Sequence, residues 1–260
     1  MDLVKSIILG IVQGFTEFLP VSSSGHLLVL RKWFGLAEAG LFLDTMLHFG
    51  TLIALVIIFW RDIWKMICNP LSKMTLLVIA ATLPTAAIGI IFRNIFEELA
   101  VSGRTVGWEF LATGLVLWVA DMVKDRGTKD LEEIGYKDAL FVGVLQGVAI
   151  LPAISRSGLT IAGSFFRGIN RAAAARFSFL VSIPAIMGAV VLQGKDLFDG
   201  KAEAVGMAPM IWGTLAAAVT GYIAVKWMLK IIRQGSLRVF SIYVWILGCM
   251  VLLLQYFGVM

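Results

Sequence analysis

Charge is scarce in this 260-residue sequence: Asp, Glu, Lys and Arg together make up 15% of it, against 59% hydrophobic residues. An ordinary water-soluble domain carries about 25% charged residues, so that class is excluded and an integral membrane protein is expected. Cysteine is almost absent. Cys68 and Cys249 are the only two, far apart, which leaves neither a disulfide framework nor a cysteine metal spacing. The first residues, MDLVKSIILGIVQG, contain only a brief apolar stretch with no A-x-A-like cleavage site after it. No removable signal peptide is expected, and this segment reads as part of the fold. The net charge of +5 is not gathered into a basic stripe. Lys and Arg are scattered through short loops, which argues against nucleic acid and for the loop asymmetry of a membrane protein.

Long apolar runs are what the sequence does have, IALVIIFW and MVLLLQYF among them. A bilayer core takes about 20 apolar residues per helix. Six segments are predicted to cross, at about 44–60, 75–92, 106–122, 177–192, 209–228 and 239–257. Two more, about 6–18 and 138–151, are too short to cross, and each runs into a small, polar, Pro-containing stretch. They read as re-entrant half-helices.

An ungapped offset of 133 places GIVQGFTEFLPVSSSG (10–25) on GVLQGVAILPAISRSG (143–158), and it aligns the first crossing segment of one half with that of the other. The chain is a duplication. Repeat 1 covers about 1–125 and repeat 2 about 136–260, within one membrane domain. Three crossings per half is an odd number, so the second half enters the membrane upside down. The predicted fold class is therefore an all-α integral membrane protein, with six transmembrane helices plus two re-entrant helical segments in an inverted-topology repeat. The loops at 61–73, 124–137, 161–176 and 226–238 carry 14 Lys and Arg, against 7 on the other face. The richer face is expected in the cytoplasm, and both termini outside.

The polar chemistry is concentrated in the two motifs. Leu19-Pro20 and Leu151-Pro152 end helical runs, and the Ser/Gly clusters behind them offer hydroxyls and free backbone N–H groups, an anion cradle. The inverted repeat is expected to bring Glu17 and His26 against Arg156. Arg156 presents fixed donors suited to phosphate oxygens, with Ser155, Ser157 and Thr160 adding hydroxyls. Glu17 could accept a proton or hold a divalent cation, Ser23 could attack phosphorus or bind it, and His26 could shuttle a proton. This set resembles a phosphoryl-transfer site more than an acyl-transfer triad. The competing view is an internal polar lock between the halves, with Ser22, Ser24 and Ser157 as packing contacts. Asp44 and His48 share a helix face and read more readily as an interfacial pair than as catalytic groups. Glu109 and Asp121 are expected to snorkel from the ends of their span.

Gln13-x-x-x-Glu17, FLPVSSSGH (18–26) and LPAISRSGLT (151–160), at this separation in a duplicated six-span chain, closely resemble the undecaprenyl-diphosphatase family of bacterial membranes, associated with bacitracin resistance. The resemblance runs from about residue 3 to 257. It implies an interlocked inverted repeat that hydrolyses undecaprenyl diphosphate to undecaprenyl phosphate, recycling the lipid carrier for peptidoglycan synthesis with a divalent cation, Mg2+ or Ca2+. Residue by residue, it places the acidic motif on Gln13 and Glu17, which become the expected cation ligands. It places Ser-Ser-x-Gly-His on Ser22, Ser23, Gly25 and His26, and Ser-Arg-Ser-Gly-x-Thr on Ser155, Arg156, Ser157, Gly158 and Thr160.

Two features depart from the family pattern. Gln13 leaves Glu17 as the motif's only charge, and Ala153-Ile154 replaces the usual Gly-Thr, so a different turn before Ser155 is expected. The resemblance further implies a multi-pass protein of the bacterial inner membrane acting on a polyprenyl diphosphate lipid, with a site open to the external face. It is compatible with a homodimer and implies no nucleic-acid partner. The nucleophile stays open between Ser23, His26 and a metal-activated water. The rival class is a flippase or transporter of a polyprenyl phosphate or small anion through the same cleft.

Overall fold

Apolar runs of this length can exist in lipid only if each segment satisfies its own backbone hydrogen bonds, which a helix does. A computed structural model describes residues 2–36, 41–198 and 206–258, and among them every regular element is helical, with no strand. Helices α1 (Leu3–Phe18) and α2 (Ser23–Trp33) flank the first polar motif. Helix α3 (Leu41–Ile58) turns through 79° into α4 (Trp60–Cys68). Helices α5 (Lys73–Ile91), α6 (Arg93–Ser102) and α7 (Val106–Val123) follow. Helices α8 (Tyr136–Val148) and α9 (Arg156–Phe166) flank the second motif, ahead of α10 (Arg171–Phe198), α11 (Met207–Gln234) and α12 (Arg238–Tyr256).

Five of these, α5, α7, α10, α11 and α12, are long and apolar enough to cross a membrane, and α3 with α4 makes a sixth if the bent pair is one span. The short segments expected at 6–18 and 138–151 fall on α1 and α8. Short polar helices α4 and α6 had no counterpart in the expected layout. Residues 1 and 260, the outer bounds of the expected repeats, lie outside the described residues, as does Lys201 of the external charge count.

The breaks have local causes. Leu19 precedes Pro20, whose ring disfavours helical backbone before it, and Leu19 is extended at φ −73° and ψ 145°. Ser22 and Ser155 then restart the chain as N-caps, accepting from Gly25 N and Gly158 N. The breaks therefore leave two helix N-termini at the motifs.

Packing interleaves the halves: α1 lies along α11, α8 along α5, α7 along α12, and α3 against both α10 and α11. Phe18, Phe110, Phe177 and Phe179 are fully buried in the core, with Phe18 edge-on to Phe179 at 5.9 Å. Close approach needs glycine at two equivalent places. A Cβ on Gly10 would overlap the Gly213 carbonyl of α11, and one on Gly143 would overlap the Ala81 carbonyl of α5 and stand 2.7 Å from Pro84 Cγ. Thr85 Oγ1 donates to the Gly143 carbonyl at 2.9 Å, closing the α5–α8 contact.

This packing predicts an asymmetry between two glycines. Gly143→Ala forces α8 away from α5 and is expected to cost on the order of 1–3 kcal/mol. Gly188→Ala, where a Cβ meets nothing within 4 Å, is expected to be neutral or stabilising by up to about 1 kcal/mol. Melting temperatures of the two detergent-purified variants test this; equal melting would refute the close packing.

Candidate active site

The two motifs are tied to each other by bonds that cross between them. Ser22 Oγ donates to the Pro152 carbonyl at 3.0 Å, and Ser157 Oγ donates to the Leu19 carbonyl at 3.0 Å. Each accepting carbonyl belongs to the broken backbone of the other motif, and that of Leu19 also accepts from Val21 N at 2.8 Å. Ser155 Oγ lies 3.3 Å from Ser157 Oγ. The backbone at Ser22 is unusual. Its φ of 68° makes it the non-glycine residue with left-handed φ among the described residues, a conformation that costs about 1–3 kcal/mol and survives where surroundings enforce it.

Glu17 is the hub. It is 5% exposed, on the last turn of α1. Arg156 Nη2 donates to its Oε1. On Oε2 it accepts from Ser23 Oγ at 2.5 Å and from Gln13 Nε2 at 3.0 Å, and His48 Nε2 stands 3.5 Å away. A carboxylate removed from water needs such compensation. The geometry thus unites four residues expected at the site, Gln13, Glu17, Ser23 and Arg156. Ser23 Oγ, aimed at a carboxylate oxygen, is positioned to give up its proton.

The other expected residues occupy different surroundings. His26 engages both ring nitrogens away from Glu17: Nδ1 is 2.6 Å from the Ser22 carbonyl and Nε2 is 2.7 Å from Tyr243 Oη. A carbonyl only accepts, so the neutral ring carries its hydrogen on Nδ1 and takes the Tyr243 hydroxyl proton on Nε2. Thr160 is fully buried, bonding back to the Arg156 carbonyl at 2.9 Å and lying 2.6 Å from Ser178 Oγ. Ala153 does not take a left-handed φ, so its Cβ meets no backbone penalty there.

Two expectations are corrected. His48 is not at an interface but within the site, because α3 passes alongside α1. Glu109 and Asp121 do not snorkel; they are 6% and 5% exposed. Glu109 accepts from Ala153 N at 2.6 Å and from Thr105 Oγ1 at 2.6 Å, while Thr113 Oγ1 accepts from Ser155 N at 3.2 Å. Helix α7 thereby holds the loop that precedes Arg156. Asp121 is bound by Lys124, Arg238 and the Leu237 N–H.

Among the described residues no three His, Cys, Asp or Glu side chains stand close enough to hold a metal ion by themselves. The donor set suits a hard cation shared with a ligand's own oxygens: Glu17 gives a carboxylate, and Gln13 Oε1 is buried with no hydrogen-bond partner.

Residues 6–250 match the family described as Bacitracin resistance protein BacA. The chain is 54% identical over 260 residues to the undecaprenyl-diphosphatase of Carboxydothermus hydrogenoformans, covering 99% of each chain. It is 51% identical over 256 residues to undecaprenyl-diphosphatase 3 of Bacillus cereus, covering 98% of each. With the undecaprenyl-diphosphatase of Alkaliphilus metalliredigens it shares 41% over 273 residues, at 97% of this chain and 98% of that one.

Glu109 supplies the test of how the second motif is held. Glu109→Leu leaves the buried Ala153 N–H without an acceptor, at a cost of about 1–3 kcal/mol, and is expected to lower melting temperature. Glu109→Gln keeps an oxygen for that N–H and is expected to melt within a few degrees of the wild type. If both variants melted alike, the Ala153 bond would not be what holds the loop.

Proposed function

Because the chain belongs to the bacitracin resistance protein BacA family, we propose that it hydrolyses undecaprenyl diphosphate to undecaprenyl phosphate and inorganic phosphate. Such turnover returns the lipid carrier to peptidoglycan synthesis and opposes bacitracin. The observation that carries the chemistry is Ser23 Oγ at 2.5 Å from Glu17 Oε2, with Arg156 on the other oxygen of that carboxylate.

In the reaction, Ser23 Oγ attacks the terminal phosphorus as its proton passes to Glu17 Oε2. The bond from that phosphorus to the bridging oxygen breaks, and undecaprenyl phosphate departs. Water then attacks the phosphoserine, the P–Oγ bond breaks as Oγ takes back the proton from Glu17, and inorganic phosphate leaves with the hydroxyl and the carboxylate both restored. Arg156 spends one nitrogen on Glu17 and has further N–H donors for phosphate oxygens; Ser155, Ser157 and Ser22 line the backbone that faces them. A divalent cation, Mg2+ or Ca2+, held by Glu17 and Gln13 together with the diphosphate, would neutralise phosphate charge. His26, with both ring nitrogens engaged by the Ser22 carbonyl and Tyr243, orders the first turn of α2.

The chain is a multi-pass membrane protein. Six crossings in an inverted repeat, with α1–α2 and α8–α9 re-entrant, is the arrangement that the 133-residue offset and the reciprocal pairing of α1 with α11 and α8 with α5 support. The excess of Lys and Arg in the loops on one face favours that face inward, and a site of the inner membrane reached from outside is what the likeness to the undecaprenyl-diphosphatases implies. Lipid transport by the same cleft is the weaker reading. Binding alone has no use for a serine hydroxyl held on a carboxylate.

Phosphate release from undecaprenyl diphosphate by the purified protein, with Mg2+, Ca2+ or chelator, tests the proposal. Release is expected to need the cation. It is expected to fall about 10²- to 10³-fold in Arg156→Ala and by about 10²-fold or more in Glu17→Gln and Ser23→Ala. Full turnover in Ser23→Ala, with the other two inactive, would replace the serine by water as nucleophile. No release with binding intact would leave transport.

A further inference from the structure

His48 connects the site to a helix that neither motif contains. Its Nδ1 is 2.7 Å from the Asp44 carbonyl, one turn back on α3, and its Nε2 is 3.5 Å from Glu17 Oε2, the oxygen that accepts the Ser23 hydroxyl. Both partners only accept, so the ring that makes both contacts carries a hydrogen on each nitrogen: it is anchored to its own helix on one side and stands at ion-pair distance from the Glu17 carboxylate on the other. The α3 end of this link is itself braced. Asp44 Oδ2 lies 3.2 Å from Arg31 Nη1 of α2, an ion pair whose side chains are 12% and 15% exposed.

The partners of Glu17 differ in what the reaction asks of them. Ser23 leaves the carboxylate when its oxygen bonds to phosphorus, and Arg156 shares its donors with the diphosphate. Gln13 lies on α1 itself and moves with Glu17, so it cannot fix α1 against the rest of the fold. That leaves His48 as the partner of Glu17 which is both outside the motifs and not engaged by substrate. A carboxylate that loses two partners at once during a turnover needs such a contact to keep Oε2 aimed at Ser23.

We propose that His48 is a positioning residue for the phosphatase reaction: from α3 it holds Glu17 Oε2 in line with Ser23. This rests on the reading that Glu17 takes the Ser23 proton. Since His48 touches Glu17 and not the lipid, its loss acts on turnover rather than on substrate binding.

Two variants separate the two ring nitrogens. In His48→Gln the side-chain amide reaches the place of Nε2 and can still donate to Glu17. In His48→Asn it reaches only the place of Nδ1, keeping the link to Asp44 and losing Glu17. With phosphate release, KM and detergent melting measured on each, His48→Asn is expected to lose about 10²-fold in kcat, the scale of a misplaced catalytic group. Its KM and melting temperature should stay near wild type. His48→Gln is expected to recover kcat to within about 10-fold of wild type. Wild-type kcat in His48→Asn would overturn the proposal. So would a kcat loss in both variants that tracks a fall in melting temperature, because that is a packing role. Glu17→Gln, measured alongside, reports on the underlying reading: wild-type kcat there would sink the role of Glu17, whatever His48 does.

Discussion

The contact between Glu17 and Arg156 is the constraint around which the molecule is arranged. The two residues are 139 positions apart, and the carboxylate is almost wholly withdrawn from water. Taking a charged group into such an environment costs several kcal/mol, and the cost is offset only if the opposite charge and the remaining hydrogen bonds are all supplied at once. One motif without the other would leave an uncompensated buried charge. Neither helix pair is therefore a stable unit in itself, and the halves must fold against each other to place either charge.

The rest of the packing serves that meeting. The short helices α1 and α8 cannot be held by length, so they are held by closeness: each lies against a long helix of the opposite half, across a glycine whose missing side chain lets backbones touch. Between them, Ser22 and Ser157 exchange hydrogen bonds with carbonyls of the opposite break. These breaks would be forbidden on a lipid-exposed surface and are admissible here because protein covers them. The same bonds that satisfy the broken backbone fix the register in which Arg156 reaches Glu17. Stability and site geometry have one cause.

Much of this was legible in the sequence because the motifs are dense and unlike their surroundings. A carboxylate, a run of hydroxyls and a guanidinium stand out in an apolar chain, and the fold brings them together. What stayed illegible lies on helices that are apolar on nearly every side. In such a helix hydrophobic periodicity does not say which face turns inward, so Glu109 near the start of α7 and His48 on α3 looked like residues at an interface. Their partners are the Ala153 N–H, 44 residues away, and the Glu17 carboxylate, and neither is encoded locally. Tyr243 gave no signal at all, because its contact to His26 spans 217 residues.

The two motifs are alike in sequence, and it is their differences that let them pair. At the offset of 133, Ser23 falls on Arg156 and Glu17 on Ile150. Two identical motifs would bring like groups together. Two Glu17 equivalents would repel, and two Arg156 equivalents would have no carboxylate to meet. The present pair instead sets a hydroxyl bonded to a carboxylate against a guanidinium. The capping serines diverged with them, since Ser155 caps α9 from an ordinary φ of −74° whereas Ser22 caps α2 from 68°. The left-handed backbone thus lies next to Ser23, whose hydroxyl donates to Glu17, while the backbone before Arg156 is relaxed.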